Sequence, residues 1–529
     1  MKKLIIICGA ALAMLGATSC GDDFLSVDPS SKLPVDGYYN SESRIMESVV
    51  AAYQPLQWYD YYKGWAPLCL VYDSMSDDVY VGGGNTTDQS QIHLISQYLC
   101  DPINNIGGAW SASYTGINRC NLIIDYVEKA EVSETDRQKF IAEARVLRAW
   151  YYSVLWKLWG NVAYYDVNLT YPYIAEQKTA KEIYDLIEAD LAEVLDSNLL
   201  PMKEDAKWSG RATQAMASML YAEYVMYQKD ESKYNKALGY MKAIITSGKY
   251  SLQPFENLWE AEHEWNDETI FDINYISKGG KRNWGYDTAT DTDEATLTGG
   301  TVLPAMIGID KLSGSPDYTS GGWGFEPVAK EAYDAYESGD KRRDIGILNM
   351  EKYIADNAAK GITVDYGGRY QNTGFFLRKY LGRIGGNTGA IGSADLNWDN
   401  NLRIYRYAET LLNAAELALR TGDGSAQSYL DQIRSRAGVA SIPATLDNIL
   451  LERRREFVGE GKRYFDLVRF DKAAEVLKPK GGKVLDKKGG NYVVDGIPER
   501  IQWSENKKYL PIPQSEIEAA QGTLTQNPY

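Results

Sequence analysis

The sequence predicts a mostly α-helical protein, a scaffold of tetratricopeptide-like helical pairs carrying a loop-rich, mixed second part. Three observations predict it. Long stretches repeat apolar residues at helical spacing, most clearly from Arg137 to Trp159, where Phe140, Ala144, Leu147, Tyr151, Val154 and Leu158 share one face. Small residues alternate with Leu and Tyr in two paired segments, the grammar of helical repeats whose neighbours approach closely. Between those pairs, residues 275–400 lose apolar periodicity and are punctuated by glycine doublets such as Gly299-Gly300, Gly321-Gly322 and Gly385-Gly386.

Taken in order, residues 1–19 read as a lipoprotein signal peptide. Lys2 and Lys3 supply the positive start, and Leu4 to Ala17 is an apolar run too short to span a membrane, which takes about 20 residues. The run closes on Ala17-Thr18-Ser19-Cys20, so Cys20 is the expected lipidation site. A plain secretory signal with an incidental Cys20 is the alternative. Residues 20–40 form a lipidated acidic tether with Asp22, Asp23 and Asp28, and 41–274 a helical region. Within it, Ser43 to Leu56 and Trp110 to Ala130 carry helical spacing, and Gly160-Asn161 stops the long helix that precedes it. Ala212 to Tyr227 and Tyr234 to Gly248 make one helical pair, joined at Lys229-Asp230. Residues 401–529 hold a second pair, Tyr407 to Ala418 and Tyr429 to Ala437, and a closing segment. An irregular helical bundle is the alternative on pattern alone.

Composition bounds the function. The 529 residues include 72 Asp+Glu against 56 Lys+Arg, a formal charge of −16, which argues against a nucleic-acid partner, since that needs a basic surface. Tyr and Trp, at 40 and 13, far outnumber the 10 Phe; both rings pair a flat apolar face with a polar handle and suit partly exposed contact surfaces.

Many motifs, in order along nearly the whole chain, resemble the SusD/RagB outer-membrane lipoproteins of Bacteroidota. They include Cys20-Gly21-Asp22-Asp23-Phe24-Leu25, Glu143-Ala144-Arg145 with Leu147-Arg148, Gly210-Arg211-Ala212-Thr213, Gly339-Asp340-Lys341-Arg342 and Arg406-Tyr407-Ala408-Glu409. The most specific run is Glu452-Arg453-Arg454, Glu456, Glu460-Gly461, Arg463, Phe465-Asp466-Leu467 and Arg469, followed by Pro511-Ile512-Pro513. The ending Asn527-Pro528-Tyr529 lacks the glycine that the family more often places before its last tyrosine. The resemblance implies four tetratricopeptide-like pairs with the loop-rich part packed on them. It also implies a non-enzymatic, lipid-anchored protein exposed at the cell outer membrane, which captures oligosaccharide or polysaccharide and delivers it to a SusC-like TonB-dependent transporter. By the same resemblance the helical repeats dock the transporter, the loop face holds the nutrient, and no cofactor is needed.

Candidate ligand contacts are aromatic rings beside fixed polar groups, because sugars offer C–H faces for stacking and hydroxyls for hydrogen bonds. One mixture lies between Trp58 and Asn85 and supplies Trp65, Asp73 and Tyr80. The other supplies Arg282, Asn283, Trp284, Tyr286 and Trp323. Flanking glycines and polar residues mark Trp284 and Trp323 for exposure, whereas Trp110, Trp150, Trp156 and Trp159 sit on helical stretches and belong in the core. The Arg, Glu and Asp residues of 452–466 recur at i, i+3 and i+4 and read as structural ion pairs. A neutral glycan is the expected ligand, with peptide capture by the same architecture left open.

Rival chemistries leave weaker traces. A surface glycoside hydrolase needs two carboxyls about 5–10 Å apart, which 72 acidic residues can supply by chance, but no run of strands builds a (β/α) barrel. Neither a Gly-x-Ser-x-Gly elbow nor His-Glu-x-x-His occurs, so no catalytic residue is assigned. Asp395-Leu396-Asn397-Trp398-Asp399 opens like a calcium loop but reaches Arg406 where a bidentate acid belongs, and no metal is expected. Cys69, Cys100 and Cys120 allow at most one disulfide, of which Cys69–Cys100 is one choice, with buried free thiols the other.

Overall fold

The structure is a computed structural model that describes residues 35–279, 282–284, 297–479, 483–486, 491–494 and 500–529. Helices α1 (Glu42–Trp58), α2 (Leu68–Ser74), α3 (Gly107–Val127) and α4 (Glu134–Trp159) open it. The Ser133 side chain caps α4 by accepting from the Asp136 N–H, and Gly160, at φ +68°, ends it where the sequence places the stop. Trp110, Trp150, Trp156 and Trp159 are all buried, as their helical spacing predicts. Gly116 shows why α3 and α4 pack so closely. A Cβ there would stand 2.3 Å from the Tyr151 ring, whose hydroxyl donates to the Ala52 carbonyl at 2.6 Å and so brings α1 to the same point.

Next come α5 (Ala180–Ser197), started by a reciprocal Thr179–Glu182 capping box, then α6 (Gln214–Gln228) and α7 (Tyr234–Thr246). Ala215, Ala217 and Ala222 are fully buried, which lets neighbouring helices approach α6 from several sides. A long excursion follows, which contains α8 (Lys341–Gly346), and after it the helices resume with α9 (Tyr407–Thr421), α10 (Ala426–Ala437), α11 (Leu446–Phe457), α12 (Arg463–Arg469) and α13 (Gln514–Ala519). Helix α7 packs directly on α9 although 247–406 intervenes, so the helical array runs unbroken past the insertion. The chain leaves the array along β1 (Thr269–Ile273) and returns along β4 (Leu402–Arg406), which pair antiparallel as a neck. Arg403 and Asp272 face each other across that neck at 2.9 Å, both buried. Inside the excursion, β2 (Ile347–Asn349) pairs with β3 (Phe375–Leu377) beside a small separate core that includes Ile309, Leu348, Val364 and Phe376. The expectation of a mostly helical protein with a loop-rich part therefore holds.

The ion pairs expected at 452–466 form, but mostly with partners remote in sequence. Glu456 of α11 receives Arg406 at 2.5 Å and Arg342 at 3.0 Å, and it pairs with Arg436 as well. Arg342 also holds Asp340 and Glu452, each at 2.7 Å, while Glu460 joins Lys379 at 2.6 Å to Arg406 at 2.8 Å. Burial pushes the Glu456 carboxyl up, but Arg436, Arg406 and Arg342 outweigh it and hold the group well below the usual range. Among the described residues, no helix is long and apolar enough to cross a membrane.

Two outcomes are expected. Glu456→Gln strands buried guanidiniums and lowers stability by about 3–5 kcal/mol at neutral pH, read from urea midpoints. Because the native carboxyl is depressed, its contribution is present above the ordinary Glu value and lost as pH falls, so wild type and variant converge toward acid. Gly116→Ala gains ~1 kcal/mol in helix propensity but forces the Tyr151 ring aside, so a net loss of about 1–2 kcal/mol is expected in the same assay.

Candidate functional site

Two distant segments are zipped together to build the loop face. Val79 pairs with Val328 and Gly82 with Phe325 in antiparallel bridges, and the Tyr80 N–H donates to the Pro327 carbonyl at 2.9 Å. Just upstream, the Trp323 N–H donates to the Ala305 carbonyl at 2.9 Å, and Gly322 lies so close to Gly308 that a Cβ would meet its carbonyl carbon at 1.9 Å. Only glycine lets the backbone carrying Trp323 settle there. Arg369 completes the turn by donating to the Trp323 carbonyl at 3.0 Å.

Trp284 is positioned from below. Arg282 is fully buried, and its guanidinium donates to Asp60 at 2.5 Å, to the Leu297 carbonyl at 3.0 Å and to the Gln57 carbonyl at 3.3 Å. Asp60 also accepts from the Val302 N–H at 2.7 Å. Burial raises the Asp60 carboxyl above its ordinary value, and Arg282 and that N–H oppose the rise. From the other side, the Arg282 carbonyl accepts from the Ser393 N–H and the Asn397 amide. The guanidinium lies 5.1 Å over the Tyr61 ring, which meets Trp65 edge-on at 4.5 Å.

On that base three indoles cluster. Trp65 and Trp284 lie 5.5 Å apart with planes at 29°, Trp284 and Trp323 5.5 Å apart at 50°, and Trp65 and Trp323 5.2 Å apart at 77°. Trp284 is 56% exposed, whereas Trp65 and Trp323 are half-buried against the main core. The Trp284 indole N–H donates to Asp395 at 2.8 Å, and Ser393 donates to the Asn283 side-chain carbonyl at 3.2 Å. The arrangement presents a fixed aromatic face to water with carboxylate, amide and hydroxyl groups at its edge, the chemistry of stacking on C–H surfaces.

Of the residues singled out in the sequence, the structure thus joins Trp65, Trp284 and Trp323 and sets Asn283 beside them. Tyr80 is half-buried on the zipped segment. Two others are corrected. Arg282 is committed to Asp60 beneath the cluster, and Asp73 is fully buried at the end of α2, accepting from the Gly461 N–H at 3.0 Å, so neither side chain is open to water. Tyr286 and Cys20 lie outside the described residues. Sequence reasoning missed Asp395 and Ser393 as neighbours of Trp284; Asp395 was read only as part of a calcium-like loop. In that loop Asp395 accepts from Trp284, Asn397 donates to the Arg282 carbonyl and Asp399 accepts from the Ser277 N–H. Among the described residues no cluster of three or more His, Cys, Asp or Glu could hold a metal. Cys69 and Cys100 do not pair; both, like Cys120, are buried free thiols.

Comparison with known proteins agrees with this architecture. A family model described as "SusD family" matches residues 267–529, and one described as "Starch-binding associating with outer membrane" matches residues 23–222. The solved structure of surface glycan-binding protein A from Bacteroides thetaiotaomicron is 44% identical, with a TM-score of 0.83 over 93% of this chain and 100% of that one. A structure of surface glycan-binding protein A from the same organism in complex with laminarihexaose matches with a TM-score of 0.82 at the same identity and coverage. A laminarin binding SusD-like protein is 29% identical, with a TM-score of 0.78 over 93% of this chain and 100% of its own. SusD-like protein P38 from Formosa agariphila is 25% identical over 92% of this chain and 96% of its own length. With the zipped loop face, the unbroken helical array and these matches together, the chain belongs to the SusD family.

Proposed function

We propose that this chain captures a β-1,3-linked glucan of the laminarin type at the Trp65–Trp284–Trp323 face, without cleaving it. The observation that carries the reading is the half-exposed Trp284 indole, backed by two further indoles and edged by Asp395, Ser393 and Asn283. In a β-glucosyl unit the ring substituents are equatorial, so both faces expose C–H groups that stack on indole while the hydroxyls point outward to polar partners. The laminarihexaose complex of the 44% identical relative supports this choice among neutral glycans. A net charge of −16 gives no general attraction for polyanionic chains. Delivery then passes to a SusC-like TonB-dependent transporter, with Cys20 lipid-anchoring the protein at the surface of the outer membrane.

The mature chain without Cys20 is tested by affinity electrophoresis against laminarin, starch, xylan and an acidic pectin, with an assay for new reducing ends. Laminarin is expected to retard it with no release of reducing ends. Trp284→Ala is expected to weaken laminarin binding about tenfold, with Trp323→Ala weakening it less. Unchanged affinity in both variants would remove the assigned face, and laminarin cleavage would overturn the non-enzymatic reading. Cys20→Ser in the full chain is expected to abolish labelling by a radioactive fatty acid and to shift the protein to the soluble fraction.

A further inference from the structure

Below the indole cluster the turn that carries Trp323 ends in a strained residue with a buried acid. Glu326 has φ +59°, a left-handed conformation uncommon for any residue with a side chain, and it is 1% exposed. It sits where the chain changes partners. Before it, Trp323, Gly324 and Phe325 donate their N–H groups to the carbonyls of 305, 308 and 306; at Glu326 the N–H turns to Val81. The Glu326 carboxyl faces that of Asp73, which is itself fully buried. Neither Glu326 oxygen, nor Asp73 Oδ1, finds a donor among the described residues. Two ionised carboxylates are acceptors only, so the pair satisfies itself only if one of them carries a proton.

We propose that Glu326 is a positioning residue of the ligand face, pinning the turn that presents Trp323 through a hydrogen bond, proton supplied, between its carboxyl and that of Asp73. The inference rests on the indole cluster being the ligand face. Around the pair lie the Cys69 thiol, 3.7 Å from Asp73 Oδ2, then Asp78, and Lys379 with its partner Glu460. The Gly461 N–H donates to Asp73 Oδ2, which leaves Oδ1 for Glu326. Burial, followed by the charge of Asp73, pushes Glu326 well above the ordinary carboxylate range, and burial pushes Asp73 up to about 7. Asp73 gives up its proton first, near 7, and the proton left on Glu326 still makes the bond, so the bond persists through neutral pH and is lost only as Glu326 in turn ionises at more alkaline pH. Losing the proton places two like charges together in the core and loosens the turn under Trp323.

The test is calorimetric titration of the mature chain with laminarihexaose at about pH 6, 7.5 and 9. Wild-type affinity is expected to hold between about pH 6 and 7.5 and to fall about fivefold toward the alkaline end, as Glu326 ionises. Glu326→Gln, whose amide donates without titrating, is expected to keep the low-pH affinity throughout; Glu326→Ala is expected to bind weakly at every pH. Should the alanine variant fail to fold, judged by circular dichroism, wild type against the glutamine variant decides alone. A flat wild-type profile, or a glutamine variant that follows the wild-type decline, overturns the proposal. Trp284→Ala separates the two levels. If it weakens binding about tenfold while the wild-type profile is flat, only the carboxyl latch fails; if it binds like wild type, the ligand face fails and the latch loses its role with it.

Discussion

Glu456 is the point through which the two parts of this protein are held to one another. Its carboxylate takes guanidiniums from the loop-rich excursion (Arg342), from the last residue of the neck (Arg406) and from the end of a helix in the array (Arg436). An apolar cluster could bury the same volume with similar stability, since a buried ion pair spends much of its attraction on desolvation. What apolar contacts lack is direction. Three planar forks converging on one carboxylate fix how the neck enters the array, and Glu460 extends the constraint through Lys379 to the strand pair inside the excursion.

A smaller version of the same device supports the indole cluster. Arg282 and Asp60 are buried as a pair, and the backbone around them ties both stems of the Trp284 loop to the end of α1. Above that anchor exposure increases step by step, from Tyr61 at 2% to Trp284 at 56%. Rigid polar contacts at the base and open aromatic surface at the top let a ring stay in water without becoming mobile. That is what pre-organised binding by stacking requires, because ordering loose side chains subtracts from affinity.

Helices were legible in the sequence because their information is local: apolar spacing marked α1, α3 and α4, and Gly160 marked the end of α4. The indole pair Trp284 and Trp323 was legible through flanking glycines. What brings them to Trp65 was not, since the zipper of 79–82 onto 325–328 is short, irregular and joins segments nearly half the chain apart. Asp73 and Arg282 were misread for a related reason. A polar residue near aromatic neighbours reads as a ligand contact until its partner is known, and Asp60 and Glu326 lie hundreds of residues away. The acidic and basic residues of 452–466 were correctly read as paired, along and between helices, but which remote partners they take was not legible: Glu456 pairs with Arg342, Arg406 and Arg436, and Arg463 with Asp77.

The neck formed by β1 and β4 has an evolutionary consequence. The excursion starts and finishes on two adjacent strands, so its ends stay fixed whatever happens between them. Lengthening such a closed loop is thermodynamically mild: each doubling adds only about 0.6 kcal/mol of closure entropy. Insertions, deletions and wholesale replacement of the loops can then be tried by mutation while α7 still meets α9. The array is a chassis and the excursion an exchangeable head, a division that allows one architecture to diversify across many ligands without refolding its base.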